Sequence, residues 1–153
     1  TGIPNFYGSY SMDFTHPDGR HCTVRLILIE LVDGCTMNTL DPKSLSQLVR
    51  KAIMEQIITV ESRVYEIGVD HFNTYPRNVL IEGLEMGPSR VHIKLVDFGH
   101  AKIGRSPHPE QIPESHYLGG TSISPILRWT TDGEREPMDS YDEWVDWDWN
   151  EWI

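Results

Sequence analysis

Four side chains in two short stretches are best placed to do chemistry: His71, Asn73 and Asn78 in the first, and Asp97 in the second. Asp97 closes the apolar run Val91–Val96, where a strand end would fix a carboxylate and point it outward. Asn78 opens the apolar run that ends at Ile81 and brings a neutral carbonyl oxygen. If the two runs form a hairpin, these oxygens meet and can share a hard cation such as Mg²⁺. Taken alone, an Asp before Phe98-Gly99 is an ordinary turn former. The pairing with Asn78, downstream of a long helix, is what favours a metal site.

These residues need elements to position them. Phe6–Met12 is aromatic and small-polar, consistent with a strand, and His16-Pro-Asp-Gly-Arg20 is a turn signal. Thr23–Leu31, rich in Val, Ile and Leu, predicts a buried strand paired with the first. Asp41-Pro42 predicts a helix start, and Leu45, Val49, Ile53, Ile57, Val60, Val64 and Ile67 keep one apolar face up to Gly68. That spacing predicts a single, mostly buried helix over 41–67. The runs 78–81 and 91–96 predict an antiparallel hairpin beneath it, joined through a Gly-Pro turn. Residues 99–122 read as loop, with three prolines and Gly119-Gly120.

Two segments carry a family resemblance. Gly68-Val-Asp-His71-Phe-Asn73-Thr-Tyr-Pro-Arg-Asn78-Val-Leu resembles the catalytic loop of the protein-kinase-like superfamily, and Val91-His-Ile-Lys-Leu-Val-Asp97-Phe-Gly-His-Ala resembles its metal-binding segment. The wording Pro-Arg-Asn-Val and Asp-Phe-Gly-His-Ala is similar to that of small fungal kinase-like domains, of the aminoglycoside-phosphotransferase and protein-kinase type. Ser124-Pro-Ile-Leu-Arg-Trp129 and the terminal Trp-rich segment resemble the same group. The resemblance implies an α+β fold: the front half of a kinase-like C-lobe, with the hinge and a remnant of the N-lobe antiparallel strands. It divides the chain into residues 1–32, remnant strands and hinge, and residues 33–153, a truncated C-lobe with an acidic Trp-rich tail. It implies Mg²⁺ on Asp97 and Asn78, ATP as the nucleotide wherever binding survives, and His71 as a packing residue rather than a reacting one. It also places Glu30 and Val32 at the hinge, where a backbone C=O and N–H would meet an adenine edge. On their residues alone, these two are simply a strand end.

The chain departs from that pattern in three places. The position of the catalytic-base Asp, between His71 and Asn78, is Asn73, and loss of a positioned base costs roughly 10²–10⁴ in rate. No Gly-rich phosphate loop, strand lysine or partner glutamate precedes the hinge. After Trp129 there is room for one acidic aromatic segment. The chain starts with Thr1 rather than Met, so residues upstream are expected. The implied function is a degenerate kinase-like domain, a pseudokinase or regulatory fragment acting by binding. Two alternatives stand beside it: an active phosphotransferase whose N-lobe lies outside this chain, and a nucleotide-independent interaction module.

Charge narrows the partners. The net charge is −10, and from Asp132 to Ile153 nine acids face one base, Arg135, so most of it sits in the tail. With no Lys/Arg cluster to offset it, nucleic-acid binding is not expected. The tail tryptophans at 144, 147, 149 and 152 either cap the core or meet a protein partner. The longest apolar run, Val24–Val32, is broken by Arg25 and Glu30 and falls far short of the roughly 20 residues that span a bilayer. Cys22 and Cys35 lack disulfide or zinc spacing and read as reduced thiols, which predicts a cytoplasmic or nuclear location.

Overall fold

A computed structural model describes residues 2–103 and 139–148 of the chain. The fold is mixed α and β, with small antiparallel sheets and one α-helix among the described residues. Strands β1 (Phe6–Thr15) and β2 (His21–Ile29) pair antiparallel as a ribbon, from Thr15 opposite His21 to Phe6 opposite Ile29, with an irregularity between Phe6 and Gly8. The turn between them closes on the His16 carbonyl, which accepts from Gly19 N–H at 2.8 Å, and Gly19 takes the positive φ of 86° that favours glycine.

The ribbon is where burial departs from expectation. Every residue of β2 is exposed, although its composition predicts a buried strand. The pairing explains which side is apolar: Tyr10, Met12 and Phe14 lie opposite Leu26, Val24 and Cys22, and so share one face. Ser9, Ser11 and Asp13 lie opposite Ile27, Arg25 and Thr23 on the other. Nothing among the described residues covers the first face, so a strand of core composition stands in solvent.

The helix also begins later than its apolar spacing suggests. Asp41 caps a three-residue 3₁₀ turn, Pro42–Ser44, by accepting from Lys43 N–H at 3.0 Å. Leu45 then turns extended, and Ser46 becomes the true N-cap, its hydroxyl accepting from Val49 N–H at 3.4 Å. Helix α1 runs from Gln47 to Glu66 and ends before Gly68, whose φ of 82° suits a residue without a Cβ. Its buried face is Arg50, Ile53, Met54, Ile57, Val60, Glu61, Val64 and Tyr65. Ile67, predicted on that face, is 78% exposed.

Beneath α1 lies a three-stranded sheet in the order β3 (Cys35–Thr36), β5 (Val79–Glu82), β6 (His92–Leu95). The predicted hairpin is present: Val79 pairs with Leu95 and Ile81 with Ile93, antiparallel. These four side chains close the core with Ile53, Met54, Ile57, Met37, Tyr141 and Trp144. The outer side of β6 would be an open edge, but Gln56 of α1 occupies it. Its Nε2 donates to Val91 O at 2.9 Å and its Oε1 accepts from Ile93 N–H at 3.3 Å. Gly2 O accepts the next donor along, Leu95 N–H, at 2.8 Å. A two-residue strand, β4 (Val69–Asp70), pairs with β7 (Lys102–Ile103), so the start of the predicted loop is strand. The rest of that loop, Ser124–Trp129, Trp149 and Trp152 lie outside the described residues.

Residues 139–148 dock against α1. Asp139–Trp144 forms a 3₁₀ helix, with Tyr141 and Trp144 buried in the core. Arg50 donates to Trp144 O at 2.8 Å and to Asp146 Oδ2 at 2.6 Å, and Gln47 donates to the other Asp146 oxygen at 2.8 Å. The Arg50 and Gln47 donors hold Asp146 below the usual carboxylate range. Lys51 lies 5.4 Å from the Trp147 ring centre. Among the described residues no helix is long and apolar enough to cross a membrane.

Candidate functional site

The loop from α1 to β5 and the turn after β6 meet at one end of the hairpin. Val96 N–H donates to Asn78 O at 2.9 Å, which locks the residue before Asp97 to the residue before β5. Phe72 and Asp97 have φ of 61° and 64°, the positive-φ non-glycine residues of the described chain, and both sit here. Side chains with a Cβ adopt that geometry at a cost, so the surrounding contacts must impose it.

His71 is fully buried and ties the two segments together. Its Nε2 lies 3.0 Å from Val96 O, and since a carbonyl only accepts, Nε2 carries the proton. Nδ1 is then an acceptor, facing Asn73 N–H at 3.3 Å. Burial pushes the His71 pKa below the ordinary imidazole value, against the opposing pull of the Val96 carbonyl and of Asp97 and Asp70. The ring also packs edge-on against Phe98, centroids 4.5 Å apart. Neutral, with one nitrogen turned to a carbonyl, His71 is a brace.

Asn73 occupies the middle of the site. Its Nδ2 donates to Asp97 Oδ2 at 3.0 Å, while its Oδ1 accepts from Arg77 at 2.7 Å. Guanidinium only donates and carboxylate only accepts, so the amide can face just one way. The Asn73 backbone carbonyl accepts from Asn78 Nδ2 at 2.8 Å. Asp97 Oδ1 accepts from Gly99 N–H at 3.4 Å. Below the loop, Tyr141 donates its hydroxyl to Thr74 O at 3.1 Å. Burial raises the Tyr141 pKa far above its ordinary range, with the charge of Glu61 adding to it, so it acts as a neutral donor.

The structure therefore brings His71, Asn73, Asn78 and Asp97 together. The Glu30 carboxylate takes Lys94 Nζ at 3.2 and 3.1 Å and Asn5 N–H at 2.9 Å, and it lines a cleft of about 660 Å³ between α1 and β6. The Asn5 amide, then Lys94, lowers its pKa. Val32 is half-buried just after it. A second cleft, of about 500 Å³, reaches Asp97: Ile3, Phe6, Ile27, Ile29, Leu95 and Phe98 make it mainly apolar.

Tyr141 escapes a reading of the sequence by motif, while Arg77 and Lys94 lie within the two resembling segments, which give them no role. For Arg77 a signal existed, since it stands four residues after Asn73 with Pro76 opening a tight turn between them.

The donor set suits a hard cation that keeps other ligands. Asp97 offers two carboxylate oxygens, and Asn78, whose Nδ2 is engaged, offers its Oδ1. Among the described residues no group of three or more His, Cys, Asp or Glu could hold a metal ion. A cation here would take its remaining ligands from water or from a bound molecule, as Mg²⁺ commonly does.

No protein-family model matches the chain, and no curated protein matches it. Among solved structures, the chain is similar to one described as the crystal structure of Rad53 kinase domain and SCD2, at 21% identity and a TM-score of 0.49. The match covers 67% of this chain and 34% of that one, so the chain spans about a third of its length.

Proposed function

We propose that this chain is a degenerate kinase-like domain, a pseudokinase or regulatory fragment that acts by binding rather than phosphoryl transfer. The observation that carries the reading is the Asn73 amide, bonded to Asp97 on one side and Arg77 on the other. In the kinase-like alignment, that position needs a carboxylate to orient a hydroxyl and accept its proton. Here the side chain spends both ends holding its neighbours and has no proton affinity to offer. The apolar cleft beside Asp97 would take a flat ring, and Asp97 with Asn78 would hold Mg²⁺ together with the phosphates of a nucleotide. When bound, the cation would neutralise phosphate charge. The acidic tail serves the fold in part, through Trp144 and Asp146, and its remaining acids are proposed as the face that meets a protein partner.

Thermal melting of the chain in ATP and Mg²⁺ tests this, because a ligand that binds only the native state must raise Tm. The expected result is little or no shift, since nothing among the described residues cradles a triphosphate. Asn73→Asp sharpens the experiment: a second carboxylate beside Asp97 should strengthen stabilisation by Mg²⁺ while leaving phosphotransfer undetectable. A clear micromolar response to ATP would contradict the weak affinity expected here, and phosphotransfer from ATP by the parent chain would overturn the reading in favour of an active phosphotransferase.

A further inference from the structure

Arg77 is left unexplained by that reading. It is exposed, yet two contacts fix its guanidinium. One N–H donates to Asn73 Oδ1 at 2.7 Å, and its plane lies over the Tyr75 ring with 4.3 Å to the centroid. The turn Pro76–Asn78, with proline at its first position and Asn78 N–H bonded to Tyr75 O at 2.8 Å, sets the backbone that carries it. A long cationic side chain held by a ring and an amide has already lost the freedom that binding would otherwise remove. Its fork has five N–H donors, of which Asn73 uses one. On the far side of the Asn73 amide lies the Asp97 carboxylate. A fixed positive group and a fixed negative group thus stand one amide apart, in a chain of net charge −10.

We propose that Arg77 is the phosphate-binding residue of this site, resting on the kinase-like reading for the cation on Asp97 and Asn78. Its chemistry fits the two ends of a metal-bound phosphate group: the cation meets Asp97, and two oxyanion oxygens meet the remaining donors of the Arg77 fork. A lone metal or a neutral ligand would gain nothing from it. Arg77 thereby supplies charge that no lysine in the described site provides.

The test is isothermal titration of inorganic pyrophosphate, with and without Mg²⁺, into the chain and into Arg77→Gln and Arg77→Lys. Gln can keep a bond to Asn73 but carries no charge. The expected result is pyrophosphate binding that weakens as salt is raised, falls by about tenfold in Arg77→Gln, and is partly retained in Arg77→Lys. Mg²⁺ alone should bind Arg77→Gln as well as or better than the parent, because a like charge near Asp97 has gone. Equal weakening of Mg²⁺ and pyrophosphate would mean Arg77 only props Asn73, which overturns the proposal. Unchanged pyrophosphate binding in Arg77→Gln, or none in the parent chain, overturns it too. The kinase-like reading fails separately: phosphotransfer from ATP by the parent chain removes its degeneracy while leaving an Arg77-dependent pyrophosphate site intact.

Discussion

Two antiparallel hairpins in this chain are built from similar residues and meet opposite fates. The hairpin of β5 and β6 puts Val79, Ile81, Ile93 and Leu95 under α1, each 3% exposed or less. The ribbon of β1 and β2 carries Tyr10, Met12, Phe14, Leu26 and Leu28 at exposures of 41–55%. Composition makes a strand in both cases, but burial needs a second layer. Helix α1 supplies that layer for one hairpin and nothing described supplies it for the other. The lesson is that apolar content predicts pairing locally, whereas core membership depends on distant chain.

The largest expected effect tests that contrast directly. Leu95→Ala should cost about 2–5 kcal/mol in urea unfolding, the usual range for emptying a packed site. Leu26→Ala should fall within about 0.5 kcal/mol, as at most exposed positions. Equal losses would mean that the ribbon face is covered in solution. A smaller effect tests how the site is tied to the buried region. Tyr141→Phe keeps the packing but leaves Thr74 O without its donor, for a cost of about 1 kcal/mol. No loss would mean that water replaces the hydroxyl.

The smallest effect is one of pH. His71 has a folded pKa below its unfolded value, so the unfolded chain binds the extra proton first. Its contribution is complete above about pH 6.5 and is lost as pH falls through that value towards the folded pKa. Glu30 and Asp146, whose pKa values are also lowered, act only in the more acidic carboxylate range. Urea midpoints should therefore fall between pH 7 and pH 5.5 in the parent chain, and less so in His71→Gln. An identical pH slope in both would remove His71 from the account.

Much of the framework was legible before any coordinates. The turn at His16–Arg20, the stop at Gly68 and the pairing of the 78–81 and 91–96 runs follow from local chemistry, which short-range residues determine. The helix start did not follow, because Asp41-Pro42 and Ser46 both carry start signals and only the extended Leu45 decides between them. The buried Arg50 was invisible for another reason: its partners Trp144 and Asp146 lie more than ninety residues away. In the site, residue types and spacing pointed to Asn78 and Asp97, and the family resemblance to Asn73. The tether from Tyr141 and the turning of Glu30 towards Lys94 depend on tertiary contacts that no spacing encodes.

The side chain of Gln56 has a consequence for how the molecule behaves in a crowd. By placing one amide against Val91 O and Ile93 N–H, it imitates a single residue of a neighbouring strand. An uncapped row of such groups invites a foreign strand to add on, and repetition of that step builds fibrils. At β6 the invitation is already answered from within, by an amide that carries no further edge of its own. The sheet ends there, and a foreign strand would have to displace Gln56 to add on through that side.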